Sequence, residues 1–182
     1  MFRFLLVGVV AATVALFVWQ TISNTVIPWH SAPMHEMSPA AVLAVHDAVP
    51  GNGFYFAKQG MLAVINTAPD LRDRTGEMGV PLARQLLVDL VAVLLVAFAV
   101  LRLPRRGSLA TGGTLALLAA AFSGFLAISD WNWYGFPFAF ELSNVADIAI
   151  QGFLAGVILA WARRRFGPAH DDATEGVMSA AA

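Results

Sequence analysis

Two aspartates stand inside apolar runs of the chain, where a charged side chain is unfavourable. Asp89 lies eight residues after Pro81, and Asp147 lies in the last apolar run. On insertion scales, an aspartate at the centre of a membrane helix costs about 2.5–3.5 kcal/mol, so such residues usually face a partner or a cavity. The two aspartates are therefore the first candidates for chemistry.

Amide side chains accompany both aspartates at helical spacing. Gln85 precedes Asp89 by four residues on the same face. Asn144, Asp147 and Gln151 follow one stripe at i, i+3 and i+7. Because both helices are expected to run from outside to inside, we expect the two polar stripes to meet in the outer half of a helix bundle.

Two interpretations of this polar set stay open. The side chains either join helices by hydrogen bonds, which are common between membrane helices, or relay a proton or cation. Arg84, near the start of its helix, is expected to pair with one of the acidic residues. The predicted binding cluster inside the membrane comprises Arg84, Gln85, Asp89, Asn144, Asp147 and Gln151.

Three histidines give the chain its one metal-like pattern. His30, His35 and His46 lie close in sequence, with Glu36 beside them. Imidazole and carboxylate ligands suit zinc or copper, and a catalytic zinc needs three protein ligands with one open position. The spacing matches no helical ligand pair, so the alternative is that His30 is a wet side chain at the membrane boundary. No hydrolase, phosphate-binding or dinucleotide motif is present, so the sequence assigns no catalytic residue and no cofactor.

Small residues recur at four-residue spacing in two apolar runs. Such ridges let two helix backbones approach closely, within the bundle or between protomers. The predicted packing residues are Gly152, Gly156 and Ala160 in the last run and Ala116, Ala120 and Gly124 in the run before it.

The composition is that of an integral membrane protein. Of 182 residues, 58% are hydrophobic and 13% are charged, whereas about a quarter are charged in soluble domains. The net charge of −1 argues against electrostatic capture of nucleic acid. Because the chain has no cysteine, disulfides and cysteine-based metal sites are excluded.

Four apolar runs have the length of about 20 residues that crosses a bilayer as a helix. The sequence predicts an all-α membrane protein, a four-transmembrane-helix bundle with a small mixed α/β extracytoplasmic cap between helices 1 and 2. The predicted segments are helix 1 (1–22), the cap (23–80), helix 2 (81–101), a cytoplasmic turn (102–107), helix 3 (108–128), an extracytoplasmic aromatic loop (129–142), helix 4 (143–162, or from 137) and a basic end with a disordered tail (163–182).

Arginines give the expected orientation. They cluster at 102–106 and 163–165, and Arg3 precedes the first run. In a protein with four spanning helices, these three positions lie on the same side of the membrane. The positive-inside rule then places both termini in the cytoplasm. The first run is longer than a signal-peptide core and lacks a cleavage site, so it is expected to be retained. Absence of a glycosylation sequon favours a bacterial inner membrane.

The cap and the aromatic loop are expected to face outward together. Ser38 is a predicted N-cap for a helix over 40–49, and two short strands are predicted over 54–57 and 61–66. Tryptophan and tyrosine settle where hydrocarbon meets water, so interfacial positions are predicted for Trp29, Trp131, Trp133 and Tyr134. We expect the cap to pack onto the loop as a lid above the two aspartates.

The segments Ile27-Pro28-Trp29-His30 and 131–137 resemble motifs of small, uncharacterised bacterial four-span integral membrane proteins. The resemblance covers most of the chain up to Arg165 and implies the architecture described above. It supplies no activity, cofactor or catalytic residue.

Three functions are compatible with these features. The leading expectation is a non-catalytic accessory or assembly subunit of a membrane complex, whose partners are the lipid bilayer and either another protein or further copies of the chain. The first alternative is a small ion-coupled transporter or ligand binder that uses Asp89 and Asp147. The second is a metal-dependent membrane enzyme at His30, His35 and His46.

Overall fold

The computed structural model describes residues 1–49, 51, 53–57, 61–65 and 79–167. Four of its helices are long and apolar enough to span a membrane: α1 (Phe2–Thr25), α3 (Gly79–Arg102), α4 (Ser108–Tyr134) and α5 (Phe138–Phe166). The prediction of a helical protein with four such helices is confirmed. The predicted disordered tail and the chain directly before α3 lie outside the described residues.

Three of these helices share one apolar core. Apolar residues of α1, α3 and α5 form it, among them Phe4, Val93 and Leu159. The core lies mostly towards the end of the bundle that carries the arginines at 102–106 and 163–165, here called the arginine end. The opposite end, with Trp131, is called the aromatic end.

Helix α4 packs against α5 through glycines. A Cβ atom on Gly156 would lie 2.7 Å from Gly112 Cα, and one on Gly152 would lie 2.8 Å from Leu115 O. The backbones therefore approach as closely as glycine allows. On α4, Gly112 and Leu115 lie on the face that contacts α5. A Cβ atom added to Gly124 would have no atom of the other described helices within 4 Å.

The atoms nearest to the α5 glycines belong to Thr111, Gly112, Leu115 and Ala119, and none of them to the predicted packing residues Ala116, Ala120 and Gly124. These three predicted residues are half-buried. Ala160, predicted as the third small residue of α5, is buried at 4% exposure.

The predicted aromatic loop 129–142 is mostly helical. Helix α4 continues through Trp131 and Trp133 to Tyr134, and α5 begins at Phe138. Gly135 ends α4 because it adopts a left-handed conformation with φ of 70°, which glycine tolerates best. Pro137 then starts α5. The connection is a tight turn at the aromatic end.

A short helix and a hairpin lie between α1 and α3. Helix α2 (Pro39–Ala48) begins after Ser38, whose Oγ accepts a hydrogen bond from Ala41 N at 3.3 Å. Strands β1 (Gly53–Ala57) and β2 (Met61–Ile65) pair antiparallel.

Helix α2 has no buried residue. Among the described residues, α2 therefore adds nothing to a packed cap, and the part of the predicted cap that lies over the bundle is the turn that carries Trp29 and His30. The apolar side chains of α2, including those of Val42 and Leu43, are exposed.

Candidate functional site

Hydrogen-bonding side chains of three helices meet in the half of the bundle nearer the aromatic end. They lie near the C-terminus of α1 and in the N-terminal halves of α3 and α5, which the antiparallel course of the chain brings to one level. This polar cluster comprises Trp19, Gln20, Gln85, Asp89, Asp147 and Gln151.

Asp147 has a donor for each carboxylate oxygen. Trp19 Nε1 donates to Oδ1 at 2.6 Å, and Gln151 Nε2 donates to Oδ2 at 3.0 Å. Hydrogen bonds to an ionised acceptor are about twice as strong as neutral ones. The surroundings of Asp147 therefore suit a fixed negative charge.

Asp89 differs from Asp147 in this respect. Its Oδ1 accepts from Gln20 Nε2 at 3.0 Å and from Gln85 Nε2 at 2.9 Å. Its Oδ2 is buried and has no hydrogen-bond partner among the described residues, and the same holds for Gln20 Oε1. Asp89 as a whole is 3% exposed. A buried acceptor without a donor is unfavourable by about 1–3 kcal/mol.

No basic side chain of the described residues forms an ion pair with Asp89, and the nearest candidate for Asp147 is His30 at 4.0 Å. Arg84, predicted to pair here, is exposed on α3. Asn144 is hydrogen-bonded to Glu141 and does not join the cluster. The predicted members that do meet are Gln85, Asp89, Asp147 and Gln151.

His30 covers the cluster from the aromatic end. After α1 the chain turns over 28–33, and the His30 ring lies 3.2 Å from Ser23 Oγ through Nε2 and 3.2 Å from Ser143 Oγ through Nδ1. Ser143 donates its own proton to Phe140 O at 2.7 Å. Ser143 Oγ is therefore an acceptor for His30, which assigns the ring proton to Nδ1.

Trp29 completes this cover. Its Nε1 donates to Ser23 Oγ at 3.1 Å, and its ring meets that of Trp19 edge-on at 6.2 Å between centroids. Trp29 thus lies inside the site. By contrast, Trp131, Trp133 and Tyr134 are exposed on the surface of α4 at the aromatic end, a position compatible with the predicted interfacial role.

The three histidines are not brought together. His35 and His46 are exposed, and His46 lies 3.6 Å from the exposed Asp47. Among the described residues, no group of three metal-ligating side chains converges. The predicted metal site fails here because α2 carries His46 away from the bundle.

A groove between α1 and α3 reaches the cluster. Its volume is about 490 Å³, within the range of small-molecule sites. It is lined by Phe17, Gln20, Thr21, Asn24, Thr25, Leu82, Gln85, Asp147 and Gln151.

Sequence reasoning missed the contribution of α1. Trp19, Gln20 and Ser23 all take part, as does Ser143 of α5. The available signal was Gln20 itself, an amide close to the end of an apolar run. In an antiparallel bundle, the end of the first helix lies level with the start of the second.

The fold and the site define a multi-pass membrane protein, on the length and composition of its helices, with a buried acidic cluster near one end. No family model, curated protein or solved structure matches the chain. The functional argument therefore rests on the geometry of the polar cluster.

Proposed function

We propose that this protein binds a small cation at the polar cluster and acts as an ion-coupled transporter or ligand binder in the membrane. The observation that supports this proposal most strongly is Asp89 Oδ2, which is buried without a hydrogen-bond partner among the described residues. A cation bound near Asp89 supplies the positive charge that no basic side chain of the described residues provides to this carboxylate.

The charge balance of the cluster supports the same ligand class. Asp89 and Asp147 come from different helices and are linked through Gln20 and Gln151. Buried charges in proteins are normally paired or coordinated, and carboxylates inside membranes commonly mark proton or ion paths. If the residues served only to join helices, each buried oxygen would be expected to have a donor.

The test is cation uptake into proteoliposomes by the Asp89→Asn variant. We expect uptake of protons, sodium or rubidium by the wild type and at least about a tenfold loss in the variant, since the variant lacks the negative charge. Asp47→Asn is the matched control, because Asp47 is an exposed aspartate on α2. A pH-sensitive dye inside the vesicles reports protons, and radioactive sodium or rubidium reports the metals.

Uptake by Asp89→Asn equal to that of the wild type would refute the proposal, as would a wild type that neither binds nor takes up protons, sodium, rubidium or an organic ammonium ion. Circular dichroism and size-exclusion elution of both variants verify that the fold is intact. An Asp89→Asn protein that unfolds is replaced by Asp89→Glu, which keeps the charge but moves it, and which should change the relative uptake of the ions.

The proposed setting is a bacterial inner membrane with both termini in the cytoplasm. Support comes from the separation of Arg102, Arg105 and 163–165 at the arginine end from Trp131 and Trp133 at the aromatic end. The groove and the polar cluster then open towards the outer half of the membrane.

A second candidate function is that of an accessory or assembly subunit, as first expected from the sequence. An apolar cleft of about 390 Å³ between α3 and α4 supports it, lined by residues such as Val96, Leu118 and Ala119. Purification in mild detergent should then give a stoichiometric partner protein or a defined oligomer. A monodisperse monomer would count against this candidate.

A further inference from the structure

We infer that the cation of this site is a small organic ammonium ion, seated in the groove between α1 and α3. The inference rests on the proposed function and narrows its ligand class from cations in general to amines that carry an apolar group. Three properties of the groove lead to it: the hydrogen-bonding character of its wall, its charge and its shape.

Several donors of the groove wall already have an acceptor within the protein. The hydroxyls of Thr21 and Thr25 donate to carbonyls of their own helix at 2.9 and 2.6 Å, and Asn24 Nδ2 donates to Gln20 O at 2.9 Å. Gln85 Nε2 donates to Asp89 Oδ1 at 2.9 Å. The two threonine hydroxyls therefore have no proton left for a ligand, whereas the amides of Asn24 and Gln85 each keep a second N–H.

The remaining acceptors are the side-chain carbonyls of Asn24 and Gln85 and the carboxylate of Asp147, all of which line the groove. An ammonium group offers up to three N–H donors and has no acceptor, so it complements this wall. A phosphate, a carboxylate or another anion would lie beside the Asp147 carboxylate, and no basic side chain among the lining residues would offset the repulsion.

The negative charge extends behind the groove. Asp89 is not among the lining residues, but it is one hydrogen bond behind both Gln20 and Gln85, which are. The groove thus has one carboxylate in its wall and a second directly behind it. A neutral alcohol of the same size could donate a hydrogen bond to one acceptor, but it would not neutralise the charge of either carboxylate.

The size and the apolar lining separate an organic ion from a bare metal ion. The volume of about 490 Å³ is far larger than one metal ion needs, and Phe17 and Leu82 supply apolar surface beside the acceptors. An aromatic ring also attracts a cation lying over its face. An alkylammonium ion of a few carbons uses all three features.

The experiment measures equilibrium binding of radiolabelled n-butylammonium to the detergent-purified full chain. We expect saturable binding that is displaced by other alkylammonium ions and not by n-butanol. Binding should weaken at least about tenfold in both Asp147→Asn and Asp89→Asn, since each removes one negative charge from the site. It should also weaken in Leu82→Trp, which fills the groove.

Two control variants keep the test specific. Asp47→Asn removes an exposed carboxylate away from the bundle, and Leu95→Trp adds the same bulk at an exposed position of α3 outside the groove. Both should bind n-butylammonium as the wild type does.

The outcomes separate this inference from the proposed function. Ion uptake that depends on Asp89, without saturable n-butylammonium binding, overturns the inference and leaves the proposed function standing. Absence of both overturns both. Binding that is equal in wild type, Asp147→Asn and Leu82→Trp places the amine elsewhere and also overturns the inference, as does displacement by n-butanol.

Discussion

The two buried aspartates have the same chemistry and different surroundings. Asp147 has a donor on each oxygen, whereas Asp89 has two donors on one oxygen and none, among the described residues, on the other. Environments that differ in this way commonly give two carboxylates separate roles. Here Asp147 is a fixed charge that joins helices and lines the groove, whereas Asp89 is a second carboxylate behind the groove whose buried oxygen lacks a donor.

Trp19 tests the fixed role of Asp147. We expect Trp19→Phe to lower the free energy of unfolding by about 1–2 kcal/mol, because it removes the 2.6 Å donor to Asp147 Oδ1 at a partly buried position. Trp161→Phe is the control, since Trp161 is 48% exposed near the arginine end and should change stability by less than about 0.5 kcal/mol. Denaturant titration in detergent gives both values, and equal losses would contradict the role.

The sequence predicted only part of this site. Gln85, Asp89, Asp147 and Gln151 were found because helical spacing places residues of one helix on one face. That periodicity carries no information on which residues of another helix face the same point. Trp19, Gln20 and His30 therefore appeared as members only in the structure, where α1 and the turn after it meet α3 and α5.

At the scale of elements, the sequence predicted the number of membrane-spanning helices but not all of the residues at which they begin and end. Length and hydropathy suffice to find four spanning helices, because a membrane permits few other backbone forms. The prediction of a loop over 129–142 was wrong because tryptophan and tyrosine near the membrane surface occur in helices as well as in loops. The true stop signals are Gly135 and Pro137.

The contact of α4 with α5 gives a prediction at this scale. Gly156→Ala should lower the free energy of unfolding by about 1–3 kcal/mol, because its Cβ would lie 2.7 Å from Gly112 Cα, a backbone atom that cannot rotate away. Gly124→Ala, with no other atom within 4 Å of the added Cβ, should be neutral or stabilise by up to about 1 kcal/mol through helix propensity. Thermal unfolding in detergent compares the two variants, and a stable Gly156→Ala would place the α4–α5 contact elsewhere.

The whole molecule divides into two halves that are stabilised differently. Towards the arginine end, aliphatic side chains fill the core, and Arg163 donates to the carbonyl oxygens of Val100, Leu101 and Leu103 at the end of α3. Towards the aromatic end, hydrogen bonds around Asp89 and Asp147 replace the apolar packing. Ligand-dependent movement is therefore expected at the aromatic end, where a changed hydrogen bond alters how the helices meet.

The orientation of these halves in the membrane is testable with cysteine labelling, because the natural chain contains no cysteine. Single variants His35→Cys and Asn132→Cys mark the aromatic end, and Gly107→Cys marks the arginine end; all three positions are exposed. Since arginine-rich connections stay in the cytoplasm, a thiol reagent that cannot cross membranes should label the first two variants in intact cells and the third only after lysis. The natural chain is the unlabelled control. Labelling of Gly107→Cys alone in intact cells would reverse the orientation and turn the groove towards the cytoplasm, so that any ligand would enter the polar cluster from inside the cell.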